Sequence, residues 1–272
     1  MTSEQAYYGK GYDKSVSSTH AWRTVKNSAE FVIPVLKPNF KVLDVGSGPG
    51  TITFDFAKNY LTEGGKIIGV EPTQELIDEA NEYKAKNGSP SNLHFQIGSI
   101  YELPFEDDSF DLIYCHQVVI HLQDPILALK ELKRVCKPNG YVCVKDADLI
   151  SSIVYPEKYQ PLADFYAIKA DASISTDSKA GRKLYERCIE AGYDITKLQY
   201  SMSHWLCYEI EYKLKWADAT INRIKNSKEN PYPNDPLKNQ QTKEEAIELW
   251  NQWKDDKSSF FNLNHFEIIY KK

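Results

Sequence analysis

The residues whose types and spacing carry the most chemistry are Asp44, Gly46, Ser47, Gly48, Gly50 and Glu71. The apolar run Val42-Leu43-Asp44-Val45 leads straight into Gly46-Ser47-Gly48-Pro49-Gly50, with glycine at every second position. Side chains at those glycines would block either the positive φ angles of a tight turn or the close approach of a ligand to the backbone. Glu71 follows the next apolar run, Lys66-Ile67-Ile68-Gly69-Val70. A carboxylate about 20 positions beyond such a turn is spaced to accept the hydroxyls of an adenosine ribose. The glycines alone suit nicotinamide, flavin and S-adenosylmethionine. A dinucleotide fingerprint begun at Gly46 needs its third glycine where Thr51 stands, so this turn has no pyrophosphate to shelter at a helix N-terminus.

The elements that must position these residues alternate along the chain. Short β-branched or apolar runs near 41–45, 66–71, 93–98, 110–116 and 140–146 are separated by amphipathic stretches near 51–60, 73–87 and 125–136. That is the pattern of a parallel sheet with crossover helices. Asp124-Pro125 reads as a helix start, and Lys137-Pro138-Asn139-Gly140 as the turn into the fifth strand. Strands near 197–206 and 260–270, the last antiparallel, would close the sheet, and Thr242-Lys243-Glu244-Glu245 has the form of a capping box for a final helix. The expected fold class is α/β, a doubly wound, mostly parallel seven-stranded sheet with helical cap insertions. As one domain over 1–272, it divides into an N-terminal helical flap (1–40), a cofactor-binding core (41–149), cap insertions (150–196 and 207–257) and closing strands (197–206 and 258–272).

A net charge of −5 over 272 residues carries no basic field, which argues against nucleic acid as the main partner. The five cysteines are odd in number and lack C-x-x-C spacing, which suits reduced thiols in a cytoplasmic protein. There is no secretory signal pattern, and no apolar run approaches the roughly 18 residues of a membrane span.

With the glycine turn, Glu71, the segments Leu103-Pro104-Phe105 and Ser109-Phe110-Asp111, and the Lys137–Gly140 turn in this order, the chain resembles the class I S-adenosylmethionine-dependent methyltransferases. Within them it is most similar to the group related to ubiquinone and menaquinone biosynthesis. The segment His20-Ala21-Trp22-Arg23-Thr24, followed by Asn27-Ser28-Ala29, resembles the N-terminal helix of a fungal and actinobacterial branch of that group. The resemblance implies that Gly46, Ser47 and Gly48 contact the methionyl part of the cofactor. It implies too that Glu71 holds the ribose, that Pro72 lies against the adenine, and that Gly98, Ser99 and Ile100 edge it. The family more often has an acid where this chain has Ser99, so a backbone or hydroxyl contact must replace it. His116 and Gln117 would face the sulfonium and the acceptor. Asp44 and Gly50 belong to the same cofactor-binding set, with Arg23 as a partner for the cofactor carboxylate or an acidic acceptor.

Methyl transfer is an in-line displacement in which the acceptor must be held roughly 3 Å from the methyl carbon, so placement contributes more than functional groups do. A base is needed only if the acceptor loses a proton. The candidates are His116, His121 and His20, with Asp146 behind them. Asp146 and Asp148 follow the fifth strand, where magnesium ligands occur in some relatives, but no third ligand is recognisable and no metal is expected. Tyr8, Tyr12 and Trp22 are the candidate substrate-pocket residues, Tyr8 and Tyr12 together with Tyr7 forming an aromatic flap. Trp205, Trp216, Trp250 and Trp253 read as core, and His94, His204 and His265 receive no role. The expected activity is methyl transfer from S-adenosylmethionine, leaving S-adenosylhomocysteine, to a small apolar or aromatic molecule. A regulatory cofactor-binding protein, a protein or RNA methyltransferase and a nicotinamide oxidoreductase are the alternatives.

Overall fold

The computed structural model describes His20 and residues 22–171, 176–227, 231–232 and 234–272. Seven strands form one sheet in the order β3-β2-β1-β4-β5-β7-β6. They are β1 (Lys41–Val45), β2 (Lys66–Glu71), β3 (Leu93–Ile97), β4 (Phe110–His116), β5 (Cys136–Tyr155), β6 (Leu198–Cys207) and β7 (Phe260–Lys271). β1 lies parallel to both β2 and β4, so strand order reverses between β1 and β4. In open α/β sheets the crevice beyond the strand ends at such a switch point is where ligands bind. β7 runs antiparallel between β5 and β6, as expected of the closing strands.

Eight helices cover this sheet among the described residues: α1 (Val25–Ser28), α2 (Thr51–Asp55), α3 (Gln74–Lys86), α4 (Pro125–Val135), α5 (Pro161–Asp171), α6 (Ala180–Glu190), α7 (Ile210–Asn226) and α8 (Pro236–Asp255). One face of the sheet packs Leu43, Ile113, Val142 and Val144 under α4 and α6. The opposite face packs Val42, Leu112, Tyr114 and Cys143 under α1 and α2. A third cluster joins α5, α7 and α8 around the fully buried Trp250 and Trp253, which sit in the core as expected.

Local chemistry explains the starts of two helices. Asp124 accepts from the Leu127 amide at 2.9 Å with Pro125 in the first turn, and Asp235 accepts from Lys238 at 2.9 Å ahead of Pro236. The second of these corrects the Thr242 capping box. Asp235-Pro236 starts α8 earlier, and Thr242 lies inside the helix, its hydroxyl donating to the Lys238 carbonyl at 2.8 Å. In the segment expected to carry the N-terminal helix, His20–Thr24 followed by Asn27–Ala29, the described residues form the short α1, with Thr24 and Asn27 as its reciprocal cap. The fifth strand does not stop near 146. It continues to Tyr155 because β7 supplies a long antiparallel partner, Tyr155 pairing with Phe260, with a register shift between Asp148 and Ile153.

Candidate active site

All three turn glycines adopt positive φ, +75° at Gly46, +53° at Gly48 and +78° at Gly50. Their surroundings differ. A Cβ on Gly46 would stand 2.2 Å from Val118 Cγ2, and one on Gly50 would meet Phe95 and Ala80 within 2.9 Å. At Gly48 nothing lies within 4 Å among the described residues. Gly46 and Gly50 are therefore glycine so that the turn can pack, and Gly48 opens onto the cleft. Pro49 and Thr51, on either side of Gly50, line that cleft.

Two buried carboxylates stand at the strand ends. Asp44 accepts from the Thr53 hydroxyl at 2.6 Å, and burial raises its pKa to about 7 against that bond. Glu71 accepts from the Gly48 amide at 3.2 Å and the Thr73 amide at 3.3 Å, joining the glycine turn to the end of β2. Burial lifts it too to about 7, the two amides pulling the other way. Pro72, Gly98, Ser99 and Ile100 continue the wall beside Glu71, and the Ser99 hydroxyl accepts from the Tyr101 amide at 3.2 Å. Ser47 lines the same cleft, its buried hydroxyl oxygen without a hydrogen-bond partner among the described residues.

The opposite wall is the end of β4 and the segment after it. His116 is buried with Arg23 and Lys145 nearby, and burial first, then those cations, holds its pKa well below the ordinary histidine value. His20 and His121 also line the cleft, and burial lowers both, to about 3 for His121. His121 Nδ1 lies 3.0 Å from the Thr176 hydroxyl. Gln117, in the left-handed region at φ +54°, accepts from the Arg23 guanidinium through its amide oxygen. Its nitrogen lies 2.8 Å from His265 Nε2.

A smaller second cavity adjoins this cleft, sharing Arg23, His116 and Gln117 with it. Trp22, Trp205 and Trp216 wall it, and Lys145, Leu263 and His265 complete it from β5 and β7.

A family model described as a methyltransferase domain matches residues 36–202. An uncharacterised methyltransferase of Schizosaccharomyces pombe is 41% identical over 99% of this chain and 98% of its own. This chain belongs to the class I S-adenosylmethionine-dependent methyltransferases. The ubiquinone/menaquinone biosynthesis C-methyltransferase UbiE of Rickettsia prowazekii is 28% identical over 60% of the chain and 64% of its own. In fold, the crystal structure of the YcgJ protein from Bacillus subtilis superposes with a TM-score of 0.55, at 20% identity, over 89% of this chain and 97% of that one.

The residues of this methyltransferase fit its cofactor. The open space at Gly48, the unpartnered Ser47 hydroxyl and the buried Glu71 carboxylate face one cleft at the switch point, which is what a bound nucleoside with an amino-acid tail requires. Of the residues expected to form the site, the methyltransferase brings Asp44, Gly46, Ser47, Gly48, Glu71, Pro72, Gly98, Ser99, Ile100, His116, Gln117, Arg23, His20 and His121 to one cleft and Trp22 to the adjoining cavity. Tyr7, Tyr8 and Tyr12 lie outside the described residues.

Asp148 is engaged by Arg182 through two bonds of 2.5 and 2.6 Å, and Asp146 is wholly buried. Among the described residues no group of three or more His, Cys, Asp or Glu side chains could hold a metal ion. Sequence reasoning missed Tyr114, Trp205 and Trp216 as wall residues, and it gave His265 no role. His265 stands beside Gln117 only because β7 pairs with β5 in the register that sets it opposite Ala147, and no local sequence signal carries that register.

Proposed function

We propose that this methyltransferase methylates a small apolar or aromatic molecule, with the acceptor seated in the cavity beside the cofactor cleft. The observation that carries this reading is the shared wall: Arg23, His116 and Gln117 border both spaces, and the second is lined by tryptophans. The net charge of −5 supports a small acceptor over RNA, whose phosphates call for a basic surface. The resemblance to ubiquinone and menaquinone methyltransferases, with UbiE as a relative, supports an apolar acceptor within that group.

When bound, S-adenosylmethionine supplies a methyl group on a sulfonium, an electrophile needing no metal. In this reading Gly46, Ser47 and Gly48 hold its amino-acid tail, Glu71 its ribose, and Pro72 with Gly98, Ser99 and Ile100 its adenine. Asp44 braces the turn through Thr53, and Arg23 reaches from the N-terminal side to close the cleft. His116, neutral and at the boundary of the two spaces, takes the acceptor's proton where the acceptor has one to lose. His20 and His121 wall the far side and exclude water. A cytoplasmic location belongs to the same reading, supported by five buried free cysteines.

The test begins with calorimetric titration by S-adenosylmethionine and S-adenosylhomocysteine, with NADH and NADPH as controls. A labelled-methyl screen follows, over small aromatic and apolar acceptors, bulk RNA and whole-cell protein. Label entering a small molecule supports the proposal, and label entering only RNA or protein overturns it. Saturable cofactor binding with no acceptor in any class would favour a regulatory protein on this fold.

A further inference from the structure

β6 is the outer strand at one end of the sheet, and over Leu198–Cys207 it contains no Asp, Glu, Lys, Arg or Pro. Edge strands are ordinarily kept from pairing by such residues, by a bulge or by being very short. The opposite edge, β3, is short, with five residues against the ten of β6. β6 has none of these guards. It pairs with β7 in unbroken register from Leu198, opposite Tyr270, to Cys207, opposite Phe261. Between Gln199 and Leu206 its backbone has no partner beyond β7 among the described residues, so the N–H and C=O groups of every second residue face outward unpaired.

The side chains along this edge are apolar where they are most exposed. On one face Trp205 packs on Trp216 of α7, and Ser201 and Ser203 donate to Glu267 at 3.2 and 2.6 Å. On the other face Tyr185 of α6 meets Tyr200, but Met202 beyond it is 62% exposed and Leu206 is 43% exposed. Tyr208 and Ile210 follow at 58% and 71%, with Leu214 one helical turn further along α7. The exposed parts of these six side chains come to roughly 600 Å², and the outward backbone with the exposed Gln199 and His204 brings the edge to the 800 Å² or so that each partner gives a stable complex.

We propose that β6 is a dimerisation edge, and that it pairs antiparallel with β6 of a second copy of this chain about a two-fold axis near Met202. Such an axis, perpendicular to the sheet, sets each residue beside one on the same face. Leu198 then lies across from Leu206 and Ser201 across from Ser203, and no two like charges meet in the ladder. A second copy suits this edge better than a foreign strand does. One pairing covers both exposed edges at once and leaves a short β3 at each end of a continuous sheet. The inference concerns a surface away from the cofactor cleft and does not depend on the acceptor.

The test is sedimentation velocity of the full chain over a wide range of concentration, with S-adenosylhomocysteine titration as the check on folding. The unaltered protein should sediment at twice the mass of one chain and fall to single chains on dilution. Met202→Lys sets like charges beside the axis and should make the pair dissociate about a hundredfold more readily, with cofactor affinity unchanged. Mixing Met202→Lys chains with Met202→Glu chains should restore the pair. Single chains at every concentration would overturn the proposal. So would a dimer that persists in Met202→Lys, which would form through another surface, or a mixture of the two variants that stays unpaired. Single chains that pellet with phosphatidylcholine and phosphatidylserine vesicles, and lose that binding in Met202→Lys, would assign the edge to a bilayer instead.

Discussion

Arg23 donates to the side-chain oxygen of Gln117, and because a guanidinium can only donate, it decides which way the Gln117 amide faces. The amide nitrogen must then point at His265, 2.8 Å away, so His265 Nε2 accepts and its proton resides on Nδ1. A residue ahead of the first strand thus sets the tautomer of one in the last. Nitrogen-15 NMR of histidine-labelled protein should show His265 neutral and Nδ1-protonated at pH 7, in keeping with a pKa that burial, Lys145 and Arg23 hold well below the ordinary value. In Gln117→Leu the fixed tautomer should give way to a mixture. An Nε2-protonated ring in the unaltered protein would refute the chain of bonds.

The glycine turn should separate folding from binding. Gly46→Ala pushes a methyl group into Val118 and should lower the melting temperature by several degrees, an overpacking cost of about 1–3 kcal/mol. Gly48→Val meets no neighbour and should keep most of the stability, losing about 1–2 kcal/mol to the left-handed backbone, while affinity for S-adenosylhomocysteine collapses. Normal binding by the valine variant would remove the turn from the site.

Glu71→Ala should weaken cofactor binding by about 1–3 kcal/mol in a protein that still folds. The carboxylate has a pKa of about 7 in the free protein, and the ionised form is the better acceptor for ribose hydroxyls. Affinity should therefore rise with pH through about 7, and the alanine variant should lose that rise. Calorimetry at pH 6 and pH 8 reads both effects.

Asp146 is wholly buried, and desolvation raises its pKa to about 8, with the Ile120 and Val119 amides and Arg187 opposing the shift. The folded chain therefore holds a proton that the unfolded chain releases near pH 4. Between those values stability falls as pH rises, by up to about 1.4 kcal/mol per pH unit for this group, and above about pH 8 its contribution is level. Asp146→Asn removes this contribution, so urea melts at pH 6 and pH 8 should show the variant gaining on the unaltered protein as pH rises. Parallel profiles would show that the carboxyl is ionised throughout.

All five cysteines are buried, and desolvation pushes every thiol up, to about 12 at Cys136, Cys188 and Cys207 and well above the usual value at Cys115 and Cys143. Because the thiolate is the reactive form, a disulfide reagent should find almost no reactive thiol in the native protein and five in denaturant. Rapid labelling of the native chain would place a cysteine at the surface.

How much was legible follows from the range of the interactions involved. The glycine turn, Glu71 at the end of the second strand, the Asp124-Pro125 helix start and the alternation of strands and helices depend on residues adjacent in sequence or one element apart, so the order of residues determines them. That was enough to indicate the parallel sheet and the cofactor cleft. Tertiary structure decided the rest. Gly48 differs from Gly46 and Gly50 only in what packs against it, β5 runs on to Tyr155 because β7 is there to pair with it, and Asp235 overrides the local signal at Thr242. His265, Trp205 and Trp216 meet His116 and Gln117 through strand register and cap packing across some 90 to 150 residues of chain, and no local pattern encodes a contact whose partners are brought together only when the sheet closes.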